Sequence, residues 1–196
     1  KSYRAWLQHE KVSSSWRDRH AELLREITLL GELQAAGLDR KGDGADRSGV
    51  AASVRSSSQE VIETAIDQLI TGITSMMDLQ PRLTAGSGLT DGLVIGLAAD
   101  AARMQDGPEL AEQVAGEGYA LLTRSEQHKG LLLIGGSPRG VLYGVFHLLR
   151  LIALEEELSD LKIISHPYCQ LRMINQWDNM DGSIERGYAG RSIFYR

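Results

Sequence analysis

Apolar positions along the chain recur at two spacings, and the switch between them marks out helices and strands. The clearest helical register follows Ser57. Val61, Ile62, Ala65, Ile66, Leu69, Ile70 and Ile73 repeat at intervals of three and four, which predicts a helix over 57–74 with one buried face. Ser57 with Glu60 three residues later has the form of a capping box, each side chain satisfying an orphan amide of the first turn. A second helix is predicted over 138–154, where Val141, Leu142, Val145, Phe146, Leu149 and Ile152 keep the same spacing. Ser137 suits its cap and Pro138 its first turn.

Shorter apolar runs read as strands. Leu93 to Leu97 is continuously apolar between glycines, the pattern of a strand buried on both faces. Tyr119 to Arg124 and Gly130 to Ile134 read as a hairpin joined by the polar stretch Ser125 to Lys129. Val50 to Val54 reads as a further strand, and Pro108 opens a short helix to about Val114. Residues 36–49 and 78–92 are rich in glycine or proline and read as loops. The first 35 residues stay open. Leu23, Leu24, Ile27, Leu30 and Leu33 fit a helix face, while Glu26 to Leu30 fits a strand. Before the break at His166-Pro167 the order is strand, helix, strand, short helix, hairpin, helix. That is an α/β sandwich with a mixed sheet. After it, an apolar-polar strand is expected over Leu171 to Ile174.

Composition narrows the classes. A length of 196 residues excludes a complete (β/α)8 barrel, which needs roughly 250. A net charge of −5 argues against a general nucleic-acid binder. No apolar run approaches the length of a membrane span. Cys169 is the single cysteine, so neither an internal disulfide nor a cysteine-based metal site is available. His9, His20, His128, His147 and His166 show no metal-ligand spacing, and no cofactor motif is present. The chain begins at Lys1, so a missing leader carries no information about compartment.

Three features could carry chemistry. Gly135-Gly136-Ser137-Pro138-Arg139-Gly140 is a strand-to-helix turn able in principle to hold a phosphate, but it lacks the P-loop lysine. Gly136, Gly140 and Gly144 instead form a smooth stripe suited to close packing, which is the favoured reading. Cys169 is read as a small apolar residue destined for burial and His147 as a structural hydrogen-bonding group, not as catalysts. The segment from Asn175 to Gly190 is denser in carboxylates, amides, arginine and aromatics. Trp177 offers a flat face for a sugar ring, Asp178 and Asn179 offer hydroxyl partners, and Arg186 and Arg191 suit a carboxylate. A surface loop with ordinary caps at Asp181 and Ser183 is the competing reading.

The run from His166 to Phe194, containing Asn175-Gln176-Trp177-Asp178-Asn179-Met180-Asp181-Gly182-Ser183-Ile184-Glu185-Arg186-Gly187-Tyr188-Ala189-Gly190, resembles the opening of the catalytic barrel in glycoside hydrolase family 67, the α-glucuronidases. Arg139 to Arg150 is similar to the last helix of that family's N-terminal domain, and Tyr3-Arg4-Ala5-Trp6-Leu7 to its aromatic opening. Gln176 departs from the pattern, where histidine is commoner.

The resemblance implies an N-terminal α/β sandwich over 1–165, similar to the hexosaminidase N-terminal domain, and over 166–196 the first strand and loop of a truncated (β/α)8 barrel. It implies a parent enzyme that removes (4-O-methyl)glucuronic acid from xylo-oligosaccharides with inversion, without metal or cofactor, and a homodimer formed through parts outside this chain. Trp177, Asp178 and Asn179 would bind substrate. Asp178, Asp181 and Glu185 would not be the catalytic pair, which the family carries on later strands, so the fragment itself is expected to be inactive. Two other readings stand beside it: a stand-alone carbohydrate-binding or interaction module, and a nucleotide-binding α/β protein using Gly135 to Gly140. The low cysteine content slightly favours a cytoplasmic enzyme.

Overall fold

The computed structural model describes residues 9–34, 57–104, 107–124 and 128–173. The chain divides into two compact units, Lys1–His166 and Pro167–Arg196.

The first unit is built on a six-stranded sheet of order β2-β1-β3-β5-β4-β6. Helix α1 (Ser14–Arg25) buries Trp16, His20 and Leu24, one residue per turn. It passes without a loop into β1 (Glu26–Leu29). Both readings of the first 35 residues were therefore right in part: the spacing changes from four to two at Ile27. Helix α2 (Ser57–Met77) follows the predicted face and runs one turn further, ending at Asp78 in the left-handed region (φ 51). Ser57 is its first helical residue, and the residue before it lies outside the described ones, as does the expected strand over Val50 to Val54.

The expected loop over 78–92 needs correction, because β2 (Arg82–Ala85) sits inside it. Among the described residues this strand lies at the sheet edge and pairs with β1 alone, so four residues and little apolar surface suffice. Strand β3 (Gly92–Leu97) is central and buried on both faces, as its sequence predicts. Two short helices, α3 (Ala98–Ala101) and α4 (Gly107–Gln113), lead to the hairpin β4 (Tyr119–Arg124) and β5 (Gly130–Gly135). Helix α5 (Pro138–Ala153) and edge strand β6 (Lys162–Ser165) complete the unit.

Strands β2, β1, β3 and β5 are parallel, whereas β4 is antiparallel to both its neighbours, so the sheet is mixed. Alternate residues point to opposite faces. One face carries α1, α2 and α5 over Ile27, Leu29, Leu93, Ile95, Leu121, Leu131 and Leu133. The other carries α3 and α4 over Val94, Ala120, Leu132 and Ile134. Residues 86–91 also close this second face. They join two parallel strands on either side of β1, so they recross β1, and Thr90 bonds Thr28 at 2.8 Å.

In the second unit only residues 167–173 are described. The strand expected over Leu171 to Ile174 is not formed at residues 171–173, and Leu171 and Met173 are exposed. A strand exists through its ladder partners, and no described segment pairs with this one.

Candidate functional site

The glycine-rich turn sits where β5 meets α5, at the carboxyl end of the parallel strands. That is the end where open α/β sheets usually bind ligands. Two of its backbone donors are already committed. Gly136 N–H donates to Gly118 O at 2.9 Å, and Gly140 N–H to the Ser137 hydroxyl at 3.4 Å. Val141 N–H donates to Ser137 O at 3.0 Å, the first bond of the helix. Ser137 is thus the cap and Pro138 opens the helix, as the sequence predicts.

The space that a phosphate would need is filled by protein. A Cβ on Gly136 would lie 1.9 Å from Val114 O, and one on Gly140 would lie 2.3 Å from Gly118 O. One on Gly144 would press on Leu133 and Tyr119 at 3.2 Å. The glycines let segment 114–118 and the sheet approach the helix closely, which is the packing role. Arg139 faces away to Glu117 at 2.9 Å.

His147 lies on α5 beside the start of β4. Its Nδ1 is 2.6 Å from the Tyr119 hydroxyl, and the rings meet edge to face at 5.8 Å and 88°. Burial pushes its pKa below the ordinary imidazole value, and the positive charge of Arg150 adds to this. The neutral ring and the tyrosine hydroxyl share this hydrogen bond. This is the structural hydrogen bond expected from the sequence.

Cys169 overturns its expectation. It is exposed rather than buried, and its carbonyl accepts from Arg172 at 2.6 Å. The reason is its position four residues past the end of β6, in no described strand. Trp177, Asp178 and Asn179, with the whole stretch 174–196, lie outside the described residues.

Sequence reasoning missed two buried polar groups. Asp100 accepts from Leu97 N–H at 3.0 Å and meets Arg103 at 3.4 Å, capping α3. Its carboxylate fills the place where a side chain on Gly31 (φ 49) would lie. His20 lies flat on Trp16, and the signal was there: an aromatic and a histidine four apart on one helix face. Among the described residues no three or more His, Cys, Asp or Glu side chains gather into a metal site.

Comparison with known proteins adds what the geometry leaves open. Residues 33–148 match the family model described as glycosyl hydrolase family 67 N-terminus, and residues 151–196 match the one described as glycosyl hydrolase family 67 middle domain. A protein of Aspergillus terreus named "Probable alpha-glucuronidase A" is 35% identical over 136 residues, 68% of this chain and 16% of that protein. One of Aspergillus fumigatus with the same name is 46% identical over 72 residues, 37% of this chain and 8% of its own length. "Alpha-glucuronidase A" of Aspergillus tubingensis is 45% identical over 64 residues, 33% of this chain and 8% of its own. The chain therefore spans only a small part, 8–16%, of these relatives. With both of its matched segments drawn from one family, in that family's order, the chain belongs to glycosyl hydrolase family 67.

Proposed function

We propose that this chain is the N-terminal part of a xylan α-1,2-glucuronidase. The observation that carries the reading is the pair of family matches, N-terminus over 33–148 and middle domain over 151–196, together with relatives named for α-glucuronidase. The whole enzyme hydrolyses (4-O-methyl)glucuronic acid from xylo-oligosaccharides in the cytoplasm, with inversion and without metal or cofactor. Inversion needs an acid and a base carboxylate about 6.5–9.5 Å apart, so that water fits between base and sugar. Later barrel strands supply that pair.

Within this division of labour the first unit is a hexosaminidase-like scaffold, and residues 166–196 open the barrel. Trp177 walls the glucuronic acid pocket by presenting its ring to the sugar's C–H face, while Asp178 and Asn179 bond its hydroxyls. The bonded Gly136 and Gly140 amides and the backbone packed against these glycines support a scaffold in preference to a nucleotide site.

The test incubates an aldouronic acid with this chain and, separately, with the polypeptide extended to the relatives' length. The extended protein should release glucuronic acid whose first-formed anomer is β by proton NMR, and this chain none. Turnover by this chain alone would overturn the scaffold assignment. An α anomer would overturn inversion. Trp177→Ala in the extended protein should raise KM at least about tenfold, the scale of losing one buried aromatic contact.

A further inference from the structure

We propose that His20 is a pH-operated latch, tying helix α1 to the 155–158 connector through Glu157 when its ring carries two protons and releasing it when the ring carries one.

The connector joins α5 to β6, and α1 is stitched to it at several points. The Ser13 N–H and hydroxyl donate to the Glu155 carboxylate at 2.8 and 2.6 Å. Trp16 Nε1 donates to Glu156 O at 3.0 Å. At the inner end, His20 is 2% exposed, with its ring stacked on Trp16 at 4.2 Å and 26°.

Its two nitrogens face incompatible demands. Nδ1 lies 2.9 Å from Trp16 O, which only accepts. Nε2 lies 2.7 Å from Glu157 Oε1, which only accepts when ionised. A neutral imidazole has a single N–H, so it cannot serve both. Two ring protons satisfy both contacts and place a cation on the Trp16 face. The hydrogen bond from His20 holds the Glu157 carboxyl below the usual carboxylate range, helped by that from Ser159.

A second partner makes the arrangement bistable. Leu158 N–H points at the same Nε2 from 3.4 Å, too long for a good bond. When Nε2 loses its proton it becomes an acceptor. The Leu158 amide then closes on it, and Glu157, already 57% exposed, turns to water. The proton on Nδ1 keeps its bond to Trp16 O in both states.

The surroundings leave this exchange to Glu157. On α1 itself, Arg19 faces Glu155, and Arg17 pairs with Asp18 and with Asp78, which also holds Lys11. The elements packed against α1 bring apolar side chains: Ile27 and Leu29 of β1, Leu93 and Ile95 of β3, Leu131 and Leu133 of β5, Met76 and Met77 of α2.

The test uses this chain in three forms: wild type, Glu157→Gln and His20→Gln. Ring nitrogen shifts by 15N NMR, Trp16-dependent fluorescence and amide-exchange protection at Leu158 are followed from about pH 5.5 to about pH 8.5, across the imidazole range. In the wild type the His20 ring should pass from two protons to one. With that step fluorescence should rise as the cationic quencher is lost, and Leu158 protection should rise about threefold to tenfold. His20→Gln should lose the step, and Glu157→Gln should shift it to lower pH. A ring singly protonated at about pH 5.5, or a step unmoved in Glu157→Gln, would overturn the latch. If His20→Gln does not fold, Glu157→Gln decides alone, because its side chain is half in solvent.

Discussion

Two adjacent rows of side chains across the same sheet show how differently its faces are built. Row one runs Ala85, Leu29, Ile95, Leu133, Leu121, Ile163, one residue per strand in sheet order, and every member is apolar. The neighbouring row, one residue away on each strand, runs Thr84, Thr28, Val94, Leu132, Leu122, Lys162. Three central apolar residues there are flanked by a threonine pair and an exposed lysine. Four residues of the first row, Leu29, Ile95, Leu133 and Leu121, lie under α1, α2 and α5 in a core cluster of 24 buried residues among the described ones, with Ile163 partly buried against it and Ala85 exposed at the edge. In the second row, Val94 and Leu132 lie under α3, α4 and residues 86–91 in a cluster of seven buried residues among the described ones, with Leu122 partly buried against it. Long amphipathic helices bury the four central residues of the first row and extend the core well beyond them, whereas two short helices and a crossover build only a small core over the second. At one flank of the second row, Thr28 meets Thr84 at 3.1 Å and Thr90 at 2.8 Å, so hydroxyls satisfy one another there.

The sharpest way to break this comparison is to cut the same side chain from each row on one strand. Leu133 is fully buried, and its methyls touch the Gly144 position. Leu133→Ala should cost about 3–4 kcal/mol, because rigid helices leave the cavity open. Leu132 is 7% exposed under a thinner cover that can settle into the gap. Leu132→Ala should cost about 2 kcal/mol. Urea unfolding of both variants measures the difference, and equal losses would mean that the two faces are equally rigid.

Next in size is the approach of α5 to segment 114–118. A methyl on Gly140 would lie 2.3 Å from Gly118 O, and that carbonyl is pinned by the Gly136 N–H at 2.9 Å. Gly140→Ala should therefore cost about 1–3 kcal/mol as overpacking, although alanine favours helices elsewhere. A thermal melt unchanged or raised would show that the segment yields freely.

The same contrast explains what the sequence made legible. Strands β3 and β5 and helices α2 and α5 serve the well-sealed face with long runs of one period, and their spacing predicted them. Strand β2 serves only an edge, and Pro81 and Gly86 beside it read as loop. The α1–β1 junction carries no turn residue, so nothing in the sequence announced the change of period between Arg25 and Glu26. Among the polar groups, the Ser137 cap and His147 were legible from position alone. Asp100 was not, because its role depends on the α3 cap, and for His20 the spacing from Trp16 was legible but its Glu157 partner, on a connector 137 residues away, was not. The family of the Trp177 segment was legible through its resemblance, since residue types alone left loop and ligand site open.

His147 gives a smaller and pH-dependent effect on the well-sealed face. Its folded pKa lies below the unfolded value, so in acid the unfolded chain takes up a proton before the folded one does. Its contribution is complete above about pH 6.5 and falls as the pH drops from there toward the lowered folded value. His147→Gln keeps a hydrogen-bonding partner for Tyr119 and removes the titration. The wild type should lose more stability than this variant between about pH 7.5 and about pH 5.5, read by denaturant midpoints. Parallel losses would mean that His147 titrates in the fold as it does in water.

The smallest effect comes from Arg139, at the mouth of the glycine turn. Its guanidinium meets Glu117 at 2.9 Å and is largely in solvent, so Arg139→Ala should cost no more than about 1 kcal/mol. Its value lies in the added-phosphate experiment. A phosphate bound at the turn would need Arg139 for charge and the first amides of α5 for hydrogen bonds. Gly136 N–H and Gly140 N–H are already given to Gly118 O and to the Ser137 hydroxyl. Phosphate at millimolar concentration should then shift the melting of wild type and Arg139→Ala alike, as a general salt effect. A stabilisation present in the wild type and lost in Arg139→Ala would make the turn a ligand site, and the close approach of α5 to segment 114–118 a cover that opens.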